Sequence, residues 1–281
     1  MTLYIIGLGL GDEKDVTLRG LEYIKTCDVL FLEAYTSILS NSISSEHLSK
    51  FYEKEVKIAD RTLVESEADQ IINPAINGQN VGLLIVGDPV CATTHTDIMI
   101  RAREVGVEVK IVHNASVMGA VGSCGLQLYN YGQTVSIPFF EENWRPYSFY
   151  EKIQYNRKGG MHTLCLLDIK VKEPNYDDMK NGKTSFLPPR FMTVNTALEQ
   201  ILEAEENKKE GSYDGDDTLC VGMARLGCGE LQCIKAGSMN ELLKEDFGEP
   251  LHCLVVCGAE VHDLELDALM PYIVEGSKFK K

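Results

Sequence analysis

Short apolar runs alternate with amphipathic stretches along the first part of the chain. Leu3-Tyr4-Ile5-Ile6 is an unbroken apolar run, which reads as a buried central strand of a parallel sheet. From Thr17 to Cys27 the apolar residues Leu18, Leu21 and Ile24 recur at helical spacing, and Val29 to Leu32 is apolar again, completing one strand-helix-strand unit. The rhythm continues with a helix over Ser44 to Lys54, a short strand over Val56 to Ala59, a helix over Leu63 to Ile76 and a strand over Val81 to Val86. A helix over Thr94 to Val105 and a strand over Val109 to Val112 follow. Strands alternating with helices predict a mostly parallel sheet with helices on both faces.

Near Asn114 the pattern changes, which divides the chain into an N-terminal α/β domain, 1–114, and a C-terminal α/β domain, 115–281. Met118 to Ser123 is small and apolar, as in a tightly packed helix. Strands are expected over Thr134 to Ile137, Thr163 to Asp168, Leu219 to Ala224, Leu231 to Ala236 and Leu251 to Val256. Helices are expected over Thr196 to Asn207, Met239 to Phe247 and Leu264 to Tyr272, and Lys172 to Pro189 reads as a polar surface excursion. Strands joined by short links predict a mixed sheet, so the second domain differs from the first.

Three turns at strand ends carry the candidate chemistry. Gly7, Gly9 and Gly11 follow the first strand, Gly87-Asp88-Pro89 follows Leu83 to Val86, and Asn114-Ala115-Ser116-Val117 follows Lys110 to Val112. In a parallel sheet all three come to the carboxyl edge, where such sheets bind ligands. Each has a plainer reading as well. The glycines suit a packing loop, Asp88 before proline is a turn signal, and Ser116 is a good helix N-cap. A dinucleotide loop is a rival, because Glu33 ends the next strand about 20 residues on. Against it, the third glycine is displaced, and Asp12, Glu13 and Asp15 would repel a pyrophosphate. A cationic or neutral ligand suits the loop better.

Composition narrows the choice. A net charge of -15 argues against nucleic-acid binding, and the basic tail Lys278, Lys280 and Lys281 reads as a solvated end. No apolar run approaches the roughly 18 residues that span a bilayer, and the chain starts without a basic leader, so a cytoplasmic protein with no membrane contact is expected. The nine cysteines lie mostly in apolar runs, without paired zinc hooks, and read as reduced and structural. No metal is expected.

Hydrolytic signatures are missing: there is no G-x-S-x-G or H-E-x-x-H, and no G-K-[ST] follows the first glycines to hold phosphates. His95, His113 and His252 are each either catalytic or packed and hydrogen-bonded. Glycine turns with one carboxylate, and neither lysine nor triad, suit a cofactor that is already activated, such as a sulfonium methyl donor. Methyl transfer is a one-step displacement in which alignment can supply about 7–11 kcal/mol of the barrier.

Six motifs in order, L-Y-I-I-G-L-G-L-G-D-E-K-D-V-T-L-R-G (Leu3 to Gly20), E-A-Y-T-S (Glu33 to Ser37), V-G-D-P (Val86 to Pro89), H-N-A-S-V (His113 to Val117), T-L-C-L-L-D-I-K-V-K-E (Thr163 to Glu173) and G-E-P-L-H (Gly248 to His252), resemble the diphthine synthases in their eukaryotic branch, the diphthine methyl ester synthases. The resemblance implies a two-domain tetrapyrrole-methylase fold and S-adenosyl-L-methionine as cofactor, with S-adenosyl-L-homocysteine as product. It also implies a homodimer, and as substrate translation elongation factor 2, whose aminocarboxypropyl-modified histidine would be methylated on amine and carboxylate. Carried over motif by motif, the cofactor contacts would be Leu10, Asp88, Cys91, Ser116 and Val117 in the first domain. Leu167, Leu226 and His252 would complete them from the second. The resemblance assigns no catalytic residue. The wider family often has proline where this chain has Leu10, which speaks against the alternative, a tetrapyrrole (precorrin or uroporphyrinogen) methyltransferase. A nicotinamide-dependent oxidoreductase is the other rival.

Overall fold

In this computed structural model, which describes residues 1–35, 37–39, 44–180, 182–183 and 185–280, two five-stranded sheets organise the chain. Thr36 of the Glu33 to Ser37 motif, positions 181 and 184 of the polar excursion, and Lys281 of the basic tail lie outside the described residues. Contacts divide the chain into one unit of Met1–Ala120 with Gly227–Gly229, and another of Val121–Leu226 with Glu230–Lys281.

In the first unit, β1 (Thr2–Gly7), β2 (Val29–Glu33), β3 (Val56–Ala59), β4 (Val81–Ile85) and β5 (Glu108–Val112) form a wholly parallel sheet in the order β3-β2-β4-β1-β5. The crossovers are α1 (Leu18–Thr26), α2 (Ser45–Tyr52), α3 (Arg61–Glu65), α4 (Asp69–Ile76) and α5 (Thr96–Glu104), and α6 (Val117–Ala120) follows β5. All six residues of β1 are buried, and its alternate side chains feed two cores. Leu3 and Ile5 pack with Ile71 of α4 and Ile98 of α5, while Tyr4 and Ile6 pack with Ile24 of α1 and Leu48 of α2. Burying each Leu or Ile contributes about 1.5–3 kcal/mol, so both faces must be covered by helices, as the alternation predicted.

In the second unit, the strands are β6 (Val135–Ile137), β7 (Thr163–Leu167), β10 (Leu219–Ala224), β11 (Cys233–Ser238) and β12 (His252–Val256), ordered β11-β10-β12-β7-β6. Only β6 and β7 run parallel; the other pairs are antiparallel. β8 (Ile169–Lys170) and β9 (Arg190–Phe191) form a separate ribbon around the polar excursion, which holds α8 (Tyr176–Lys180). α7 (Ser148–Lys158), α9 (Val194–Lys208) and α10 (Met239–Leu242) pack on one sheet face through Phe149, Ile153, Leu198 and Leu242, and α11 (Asp263–Leu269) closes the described helices. Glu265 of α11 is buried and accepts from the Gln127 amide at 2.9 Å and from Asn130 Nδ2 at 3.1 Å. His162 Nδ1 accepts from the Gly258 amide, so its Nε2 carries the proton that meets Glu265 at 3.2 Å.

The element pattern departs from expectation at several places. The helix expected over Leu63 to Ile76 is two helices, because Asp60 caps the first at Leu63 and the chain turns at Ser66 to Ala68 before α4 begins. Met239 to Phe247 is helical only to Leu242; Phe247 beyond it is buried in the core against Gly222. The strand expected over Leu231 to Ala236 runs from Cys233 to Ser238. Helix α7 has no counterpart in the expectations, because its apolar residues Phe149, Tyr150 and Ile153 stand among charged and polar ones and the stripe ends on a buried asparagine, Asn156.

Candidate functional site

The three special turns meet at the carboxyl edge of the parallel sheet. The Gly9 amide donates to the Gly87 carbonyl at 3.3 Å, and the Gly87 amide returns a bond to the Gly9 carbonyl at 2.7 Å, joining the first turn to the second. Glycine is required for this approach. A Cβ on Gly7 would lie 2.6 Å from the Gly87 oxygen, and Gly9 sits at φ +81°, which side chains rarely adopt.

Asn114 fastens the third turn to the first. Its Nδ2 donates to the carbonyls of Gly7, at the end of β1, at 2.9 Å and of Asp15, in the loop beyond it, at 3.0 Å. Asp88 fastens the third turn to the second. Its Oδ1 accepts from the Val90 amide at 2.9 Å, and its Oδ2 accepts from the Asn114 amide at 3.0 Å and from His113 Nδ1 at 2.9 Å. Burial pushes the Asp88 carboxyl upward, but the Val90 and Asn114 amides and His113 outweigh it and hold it below the usual range. Asp88 is therefore an anion whose oxygens are engaged in joining turns.

The acidic run after the glycines folds the loop. Asp15 Oδ2 accepts from the Gly11 amide at 2.7 Å, and Asp12 Oδ1 from the Lys14 amide at 2.8 Å. Leu10 stands half-buried between these bonds. Its carbonyl receives the Cys228 thiol at 3.7 Å, so the distant segment Gly227–Gly229 packs on the first turn. The Cys91 amide donates to the Asp88 carbonyl at 3.3 Å and closes the second turn. The Ser116 carbonyl accepts from the Gly119 and Ala120 amides and so opens α6, whose first residue is Val117. The first unit thus brings Leu10, Asp88, Cys91, Ser116 and Val117 to three turns of one edge.

In the second unit the other three expected residues also share one edge. Antiparallel register sets Ala224 of β10 opposite His252, and Leu166 of β7 opposite Cys253. The carboxyl ends of β10 and β7 therefore flank the amino end of β12, placing Leu226, Leu167 and His252 together. Leu167 and Leu226 are buried. His252 Nδ1 accepts from the Val194 amide at 3.3 Å, and its Nε2 donates toward the carbonyls of Gly248 at 3.0 Å and Glu249 at 3.1 Å. Burial holds this ring below the usual histidine range, so it is neutral with both nitrogens in use.

Two features were missed in the sequence. From sequence Asn114 reads only as part of a turn, although an asparagine side chain has the donors to bind two carbonyls at once, here those of Gly7 and Asp15. Asp15 was read only as a repelling charge. Among the described residues no group of three or more His, Cys, Asp or Glu is placed to hold a metal, and no helix is long and apolar enough to cross a membrane.

Residues 2–242 match the family described as Tetrapyrrole (Corrin/Porphyrin) Methylases. The "Probable diphthine methyl ester synthase" of Arabidopsis thaliana is 57% identical over 274 residues, covering 96% of this chain and 98% of the relative. The diphthine methyl ester synthase of Dictyostelium discoideum is 55% identical, covering 94% and 96%. A crystal structure of diphthine synthase superposes with a TM-score of 0.82 at 32% identity, covering 97% of this chain and 96% of that one.

Proposed function

Since this chain belongs to the tetrapyrrole methylases and, within them, to the diphthine methyl ester synthases, a methyltransferase family of diphthamide biosynthesis, we propose that it carries methyl groups from S-adenosyl-L-methionine to elongation factor 2. The acceptor is the aminocarboxypropyl side chain on a histidine of that factor, methylated on its amine and its carboxylate. The protein works in the cytoplasm as a homodimer.

The observation that carries this reading is the edge formed by the three turns. Asp12, Glu13, Asp15 and Asp88 stand in them against one lysine, Lys14, which suits a cation such as a sulfonium and not a phosphate. Gly87, at φ +79°, lets the second turn bend back onto the first. The donor would be held by Leu10, Asp88, Cys91, Ser116 and Val117, with Leu167, Leu226 and His252 from the second unit. Several are apolar, so their peptide groups provide the polar contacts. The cofactor supplies an activated methyl group; the chain's own task is to align the acceptor and exclude water.

The test is incubation of the purified protein with S-adenosyl-L-methionine and elongation factor 2 from cells lacking this activity, with the modified peptide read by mass spectrometry. Methyl-sized gains up to the trimethylated ester are expected, and light scattering of the same preparation gives the mass of a dimer. No gain while S-adenosyl-L-homocysteine still binds would overturn the acceptor.

A further inference from the structure

We propose that His113 is the general base that takes the proton from the acceptor amine before methyl transfer. This rests on the function proposed above, because it needs an acceptor that carries both an amine and a carboxylate.

Of the three histidines singled out in the sequence, the geometry favours one. His95 is fully buried, and both nitrogens of His252 are bonded within its own unit. His113 is different. Its Nδ1 lies 2.9 Å from Asp88 Oδ2, and an ionised carboxylate can only accept, so Nδ1 carries the proton and Nε2 keeps its lone pair. Asp88 is itself 4% exposed and pinned by the Val90 and Asn114 amides, whereas the His113 side chain is 68% exposed. The ring is thus fixed at one nitrogen and open at the other, at the ligand-binding edge of the sheet. The charged and titratable groups of the turns around it are Asp12, Glu13, Lys14 and Asp15 on the first, and Asp88 and Cys91 on the second. Glu108 and Lys110 lie on β5 itself.

The chemistry needs such a group on one methylation and not on the other. An α-amine with a pKa of about 8 is only about a tenth unprotonated near neutral pH. Before each methylation of nitrogen, an N–H bond breaks, its proton moves to His113 Nε2, and the electron pair stays on the amine. The exposed ring then returns the proton to water. A carboxylate is already anionic and needs no base.

His113→Asn keeps a donor toward Asp88 and deletes the base. Methylation of the amine is expected to slow about tenfold near neutral pH, because only about a tenth of the amine is unprotonated there without a base. The deficit should shrink toward about pH 9, where the amine frees itself. Ester formation on an acceptor already carrying a trimethylammonium group should proceed as in the wild type. Equal slowing of both methylations, or a deficit that is constant with pH, overturns the proposal. A second readout needs neither variant nor turnover: nitrogen NMR of the wild type should show the neutral His113 ring protonated at Nδ1, and protonation at Nε2 overturns the assignment. A wild-type protein that leaves the amine acceptor unmethylated removes the function proposed above and this role with it, whereas failure of the amine-ester split removes His113 alone.

Discussion

The two sheets assemble their edges by different means. In the parallel sheet every strand points the same way, so the turns after β1, β4 and β5 arrive side by side and are joined by Asn114, Asp88 and the paired amides of Gly9 and Gly87. In the mixed sheet, strand direction alternates across β10, β12 and β7, so two carboxyl ends and one amino end share an edge that displays leucines and a fully bonded histidine. One edge is backbone cross-linked by polar side chains; the other is apolar packing. The lesson is that a parallel sheet can concentrate polar backbone groups at one edge, while this mixed sheet fills its edge with apolar packing.

Paired glycine substitutions probe that contrast with the largest effect. At Gly7 a Cβ meets the Gly87 carbonyl at 2.6 Å, and backbone cannot yield without opening the joined turns. At Gly222 of β10 the obstacles are side chains, the tip of the Phe247 ring at 2.4 Å and Val194 Cγ1 at 2.9 Å, which can shift without opening the ladder. Gly7→Ala should cost roughly 3 kcal/mol or more in denaturant unfolding, and Gly222→Ala about 1–3 kcal/mol. Equal costs would erase the distinction.

Acidification should act next, and chiefly through the second unit. Burial holds His162 and His252 there, and His95 in the first unit, below the usual histidine range. Below about pH 6.5 the unfolded chain binds protons that these buried rings resist, so stability is complete above that pH and declines as pH falls toward their folded values. The melting temperature should drop by about 2–4 °C for each kcal/mol lost. A melting temperature that stays flat or rises on acidification from neutral pH would contradict neutral, buried rings.

The smallest effect sharpens the reading of the first edge. Asp88→Ala should weaken S-adenosyl-L-methionine binding by at least tenfold, about 1.4 kcal/mol, with a cooperative unfolding transition retained. Unchanged affinity in calorimetry would remove Asp88 from the site.

Much of this was legible along the chain. The apolar runs from Leu3 to Val112 and the helical spacing between them predict the parallel sheet, because a strand buried on both faces has no place for polar residues. The glycines and Asp88 marked the turns, because only certain residues fit tight geometry at a strand's end. Helix α7 was hidden, because Asn156 donates to Gln133 and Thr163 from a position where periodicity expects an apolar residue. Sequence by itself also determined the membership of the family, since the six motifs span nearly the whole chain.

Only the tertiary structure decided what individual polar residues do. Asp15 folds its own loop, Asn114 ties two turns, His252 is locked by Val194 and two carbonyls, and His113 leans on Asp88 with its other nitrogen exposed. Apolar pattern is a local property, repeated every few residues, and can be read from neighbours. A hydrogen bond joins residues as far apart as Asn114 and Gly7, and its partner is set by strand order and register, which no short stretch contains.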